Sequence, residues 1–223
     1  ISISIFQQAI NFNDEEKIAK SKRLVEAFNL SKNIIPLSVC LAKDYLNNNR
    51  PRKAIKVIEG SWSSKPHPDL FNLYKKIFKD ENPGKFLRRT LRLCESQKKD
   101  NPEVCIVQAE SYFFAGDHSK ARKILTSVIE NQVDKRAIDL IIKIDDKDNG
   151  PFSEKKWASN YKISKLPTWV CQICDFSFSL WLPLCKKCDA FDSFVWKYKN
   201  DEDIKGIDLQ KENIVDTNII EIN

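Results

Sequence analysis

Apolar residues in the first two thirds of the chain recur every three or four positions, and Gly and Pro fall between the segments so formed. That spacing describes one buried face of an α-helix, so residues 1–143 read as paired amphipathic helices. A longer period lies on top of the short one. Between Ile35 and Pro68 the small and bulky positions of a helical hairpin are Leu41, Ala42, Tyr45, Ala54, Ile58 and Pro66. A shift of about 33 residues brings Phe71, Tyr74, Phe78, Leu87, Leu91 and Cys94 to corresponding places, and a further shift of about 34 brings Ala109, Tyr112, Gly116, Ala121, Leu125 and Val128 there. A period near 34 is that of the tetratricopeptide unit. Ser111–Leu125 reads as helix, turn at Gly116-Asp117, helix, while residues 15–30 read as the second helix of an earlier, truncated unit. Small residues let paired helices approach and the tyrosines fill the space between neighbours. The middle unit lacks the small residues, which leaves an ordinary helical bundle as the competing reading.

The pattern then changes twice. Residues 144–167 mix turn formers and charges with no sustained period and read as a linker, packed in part through Trp157 and Tyr161. From Thr168 the apolar residues alternate, Phe176, Phe178 and Leu180 with serines between them, as in a half-buried strand. After Tyr198 the chain is polar and acidic; residues 199–223 read as a mobile tail in which Ile214–Ile222 is capable of adding a strand or helix. The predicted fold is mainly α: a tetratricopeptide-like helical-hairpin solenoid, then a small ribbon over residues 168–198.

That ribbon holds the most specific signal in the chain. Cys171, Cys174, Cys185 and Cys188 form two CxxC pairs separated by ten residues, enough for a hairpin that returns the second pair to the first. Two facing pairs make the tetrahedral four-sulfur cage favoured by zinc, and four thiolates suit Zn(II) or Fe(II) far better than Mg or Ca. A closed shell of four thiolates leaves no site for water, so the reading is of a structural zinc and not a catalytic one. Iron in the same cage would carry electrons, as rubredoxin-like centres do. With seven cysteines, an odd number, in 223 residues, a disulfide scaffold is a poor fit and a reducing compartment a good one. Cys40, Cys94 and Cys105 fall singly in helical segments and read as small buried hydrophobes.

Charge limits the choice of partner. The chain carries a net +6, yet its last 25 residues have three Lys against seven acidic residues and the ribbon is neutral, which leaves about +10 on the first 167. Trp169, Phe176, Phe178, Trp181, Phe191, Phe194 and Trp196 crowd the ribbon and resemble a stacking platform, but a neutral module lacks the charge with which single-stranded nucleic acid is held. The rings are therefore expected to share with the metal the work of folding a small module. Neither histidine suggests catalysis: His67 lies between two prolines and His118 follows a turn, both read as solvated. No glycine-rich phosphate loop is present, and no enzyme activity is indicated. No run of eighteen apolar residues occurs. The absence of Met, even at position 1, indicates a piece of a longer protein, with any membrane anchor in the missing part.

The helical repeats, the phrase Pro66-His67-Pro68-Asp69-Leu70, and the ending Trp169-Val170-Cys171-x-x-Cys174, Trp181, Cys185-x-x-Cys188-x-x-Phe191-Asp192-Ser193-Phe194-x-Trp196 resemble the HemY-type haem-biosynthesis-associated proteins of alphaproteobacteria. The resemblance spans most of residues 1–198 and is firmest over the last thirty. The ribbon also resembles the rubredoxin-like metal domain of LapB-type lipopolysaccharide assembly regulators. It implies a non-catalytic scaffold on the cytoplasmic side of the bacterial inner membrane, tethered by an N-terminal segment and engaging haem-pathway enzymes. One departure is that Asp175 and Asp189 stand where such knuckles usually place Gly. Asp tolerates the left-handed backbone needed there better than most residues. From the repeat register, the partner groove is expected to present Lys43, Asn47, Asn72, Lys76, Lys79, Glu110 and Phe113.

Overall fold

The computed structural model describes residues 1–12, 17–131, 133–150 and 165–198. Among these, nine helices precede three short strands: α1 (Ser2–Ile10), α2 (Lys17–Leu30), α3 (Ile35–Asn47), α4 (Pro51–Ser64), α5 (Pro68–Ile77), α6 (Pro83–Cys94), α7 (Pro102–Phe114), α8 (His118–Asn131), α9 (Lys135–Asn149), β1 (Thr168–Cys171), β2 (Ser177–Phe178) and β3 (Phe194–Lys197). The chain divides into two compact units, Ile1–Ala27 with Pro167–Asn223, and Phe28–Leu166. Expectations for Trp157, Tyr161 and the acidic tail fall outside the described residues.

In the unit Phe28–Leu166, proline sets the helix starts. It occupies the first or second position of α3, α4, α5, α6 and α7, where its missing N–H costs no helical hydrogen bond. Two hairpins repeat in detail at an offset of 67 residues. In α3/α4 the chain turns through Asn49 at φ +54°, and the Arg50 amide donates to Tyr45 O at 2.8 Å. In α7/α8 Gly116 at φ +85° takes that place, and the Asp117 amide donates to Tyr112 O at 2.9 Å. Ala42, Ala54, Ala109 and Ala121 are fully buried and let each pair close. The middle pair is built differently. Phe71 packs against Trp62 and Phe86, and Tyr74 against Phe78 and Phe86, so side chains the size of aromatic rings keep α5 and α6 further apart. Two buried hydroxyl pairs stitch neighbouring helices, Ser61 to Ser38 at 2.8 Å and Ser111 to Thr90 at 3.0 Å.

The helical region runs six residues past position 143. Ala137, Ile138, Ile141 and Ile144 continue one apolar stripe on α9 and join Leu125, Val128 and Ile129 of α8 in the core. The charges that made residues 144–149 look like linker are the outer face of that helix: Arg122 binds Asp145 at 2.7 Å and Asp148 at 2.9 Å. The N-terminal end of α9 is fixed by Arg136, which reaches Glu103 at 2.7 Å and the fully buried Asp134 at 2.6 Å.

Neither histidine is solvated. His67 is buried at the start of α5, where its Nδ1 accepts from the Asp69 amide at 3.2 Å; the flanking prolines put it at the N-cap instead of in a free loop. His118 Nδ1 pairs with Asp148 at 2.5 Å and its ring lies against Phe113, because α9 extends far enough to cover it. Cys94 is buried as expected, whereas Cys40 and Cys105 are half-buried, near the edges of their helical faces.

In the other unit, Ile3, Phe6, Ala9, Leu24 and Ala27 are buried, and Ser2 Oγ donates to Ala27 O at 2.8 Å, so α1 and α2 pack together. Phe6 meets Trp181 of the cysteine module at 6.0 Å between ring centroids. Residues 1–27 thus group with the ribbon, where the sequence pattern alone joins them to the repeats. The strands pair antiparallel in the order β2-β1-β3, with Trp169 opposite both Phe178 and Trp196. Among the described residues no helix is long and apolar enough to cross a membrane.

Candidate metal centre

Each CxxC pair sits in the same backbone turn. In the first, the Asp175 amide donates to Cys171 O and the Cys171 amide to Phe176 O, both at 2.9 Å. In the second, the Asp189 amide donates to Cys185 O and the Cys185 amide to Ala190 O, again both at 2.9 Å. The chain leaves each turn through an aspartate in left-handed conformation, Asp175 at φ +54° and Asp189 at φ +55°. Asp therefore does occupy the position that usually requires Gly. Asp192, at φ +50°, makes a third such turn, and its amide donates to Pro183 O at 2.9 Å. This brings Ser193 beside the cluster.

The two turns face each other. Cys171 Sγ lies 3.7 Å from Cys188 Sγ, Cys174 Sγ lies 3.6 Å from Cys185 Sγ, and all four sulfurs fall within 4.8 Å of one another. Sulfurs bound tetrahedrally to one zinc ion at ~2.3 Å stand about 3.8 Å apart, whereas a disulfide requires ~2.05 Å. The spacing fits a shared metal, and all seven cysteines are free thiols. A metal ion here would be held by Cys171, Cys174, Cys185 and Cys188; the geometry does not distinguish zinc from iron.

Electrostatics prepare the first ligand and penalise the others. Burial pushes the Cys171 thiol up, but the Ser193 hydroxyl at 3.2 Å and the amides of Ile173 and Cys174 outweigh it, bringing the pKa down to about 6. The Cys174 thiol is raised, chiefly by burial and despite the Phe176 amide. At Cys188 the Ala190 amide favours the thiolate, yet burial and the three neighbouring thiols together raise it. One thiolate is thus stabilised and further ones repel it, an arrangement that a cation relieves.

The aromatic side chains close the module. Trp169 and Trp196 meet edge-on at 5.4 Å, and Phe178 bridges Phe176 at 4.8 Å and Phe194 at 5.6 Å. Phe191 is an exception at 50% exposed, and Ile173, inside the first turn, is 72% exposed. Lys187 lies over the Phe176 ring and Lys197 is 3.8 Å from Asp175.

No family model matches this chain, and no curated protein matches it.

The groove positions expected from the repeat register divide unevenly. Lys43 and Asn47 lie on α3, Asn72 and Lys76 on α5, Glu110 and Phe113 on α7, and Lys79 just beyond α5. Glu110 accepts from Lys75 at 2.7 Å, which links α7 to α5 through the neighbour of the expected Lys76. Phe113 lies against His118 and beneath Lys147. Asn47, Asn72, Lys76 and Lys79 are exposed. Sequence reasoning passed over Lys75, and it named Asp192 and Ser193 only as part of the ribbon motif, with no role at the cluster. Ser193 lies outside both CxxC motifs and only the third turn brings it to Cys171.

Proposed function

We propose that this chain is a non-catalytic adaptor whose helical hairpins, stacked as a tetratricopeptide-type array, hold a partner protein, and whose cysteine module is a structural zinc ribbon. The observation that carries this reading is the closed four-sulfur cage, which leaves no coordination site for substrate or water. The doubled hairpin, with its left-handed residue and buried alanines repeated 67 positions apart, supports the array. The exposed polar positions of α3 and α5 supply a surface for a protein partner. The resemblance to HemY-type proteins extends the proposal to a role in late haem synthesis at the cytoplasmic side of the inner membrane, among haem-pathway enzymes. That extension rests on the motif from Trp169 to Trp196 and the phrase at residues 66–70.

Metal analysis and an absorption spectrum of natively purified protein test the site. One zinc per chain and a colourless solution are expected. A red protein, bleached reversibly by reduction, would replace the structural reading with a rubredoxin-like electron carrier. The partner surface is tested by K76E/K79E in a pull-down from the native host: capture should weaken while the far-UV circular dichroism and melting temperature hold, and unchanged capture removes this surface.

A further inference from the structure

A second site candidate lies in the helical unit. Between α4, α5 and α6 is a cavity of about 510 Å³, within the size range of small-molecule sites. Its wall on α6 is formed by Lys85, Arg88, Arg89 and Arg92, which share one face at helical spacing, while Phe86, Thr90, Leu93 and Cys94 are buried. Glu59 and Ser63 of α4, Tyr74 of α5, and Leu93 and Ser96 complete the lining. We propose that this cleft binds a small anion bearing a phosphate group.

The four cations are not equivalent. Arg89 is committed: its guanidinium bonds both Glu81 oxygens at 2.9 and 3.1 Å and lies 4.0 Å over the Phe78 ring. It forms a fixed wall. Lys85 shares Glu81 at 3.4 Å but is largely exposed and able to turn inward. Arg88 and Arg92 are exposed, one turn apart, and make no side-chain hydrogen bond or ion pair among the described residues. Like charges three and four positions apart repel along a helix, so this stripe opposes the stability of α6 until an anion enters. Two adjacent guanidinium forks match the oxygens of a phosphate, which accept bidentate hydrogen bonds.

The opposite side of the cavity restricts the ligand further. Glu59 accepts from the Tyr74 hydroxyl at 3.0 Å, and that bond fixes its carboxylate at the lining. A carboxylate there repels a second phosphate and accepts a hydroxyl or amino group. The ligand class is therefore a phosphate ester with a donor at its other end. A soluble metabolite and a lipid headgroup share that chemistry.

Calorimetry of the full chain at low salt, with glycerol 3-phosphate, and co-sedimentation with phosphatidylglycerol vesicles, against phosphatidylcholine vesicles, separate the two sources. Binding of either is expected to weaken about tenfold or more in R88Q/R92Q, the order set by losing charge-assisted hydrogen bonds. R52Q/K56Q, on exposed positions of α4 outside the cavity, removes equal charge and should leave binding within about twofold if the site is local. Glycerol 3-phosphate binding lost in R88Q/R92Q assigns a soluble ligand; vesicle binding lost in the same variant assigns a headgroup. Equal weakening by both double variants, no binding of either probe, or tighter binding of a ten-residue polyglutamate peptide would overturn the proposal.

Discussion

Asp175 and Asp189 hold the backbone at φ +54° and +55°, a region that costs most L-residues roughly 1–2 kcal/mol. Their short side chains tolerate it, and the two equivalent amide bonds behind them define both cysteine turns. Asp189→Gly should therefore preserve metal affinity, whereas Asp189→Val should weaken it by about tenfold, read by competition with a coloured zinc chelator. His67 offers a second test of single residues. Burial, with the nearby Arg136, lowers its pKa from 6.5 to about 3. An unfolded chain takes up the proton near pH 6.5 and the native one only near pH 3, so stability contributed by neutral His67 is complete above that range and falls as pH drops through it. His67→Asn keeps an N-cap acceptor but does not titrate, and urea melts between pH 7 and 4 should show a flatter pH dependence in the variant. An unchanged slope would assign the effect to other groups.

At the level of the elements, helix approach follows the residue that lies between. Ala42 with Ala54, and Ala109 with Ala121, close the first and third hairpins, while Phe71, Tyr74 and Phe86 set the spacing of the middle pair. Ala121→Leu should force α7 and α8 apart and cost about 1–3 kcal/mol, measured by urea unfolding. The repeat signal was legible at the outer hairpins because its alanines and tyrosines are spaced identically there. In the middle it was fainter, because aromatic side chains stand where the alanines would and hold the two helices apart. Residues 144–149 misled for a related reason: Asp145 and Asp148 look like linker until Arg122 and His118 of another helix are placed opposite them.

Across the molecule, the cysteine module forms a compact unit with a segment more than a hundred and forty positions earlier in the chain. Phe6 against Trp181 and Ser2 bonded to Ala27 O are its visible joints. Removing the metal with a chelator should therefore raise amide hydrogen exchange in residues 1–12 and 17–27 as well as 167–198, while α3–α9 keep their protection. Exchange confined to residues 167–198 would show that α1 and α2 fold without the ribbon.

The sequence alone determined the four-cysteine cluster and the outer hairpins. Ligand type, CxxC spacing, the left-handed aspartates and 3.6-residue periodicity are local properties, carried within a few turns of chain. Tertiary structure decided what depends on distant partners: the placement of Ser193 at Cys171, the burial of His67, the pairing of His118 with Asp148, the helical reading of residues 144–149, and the grouping of residues 1–27 with the ribbon. The basic cleft belongs there too, since four cations at helical spacing describe any solvated helix face until α4 and α5 wall in a cavity beside them.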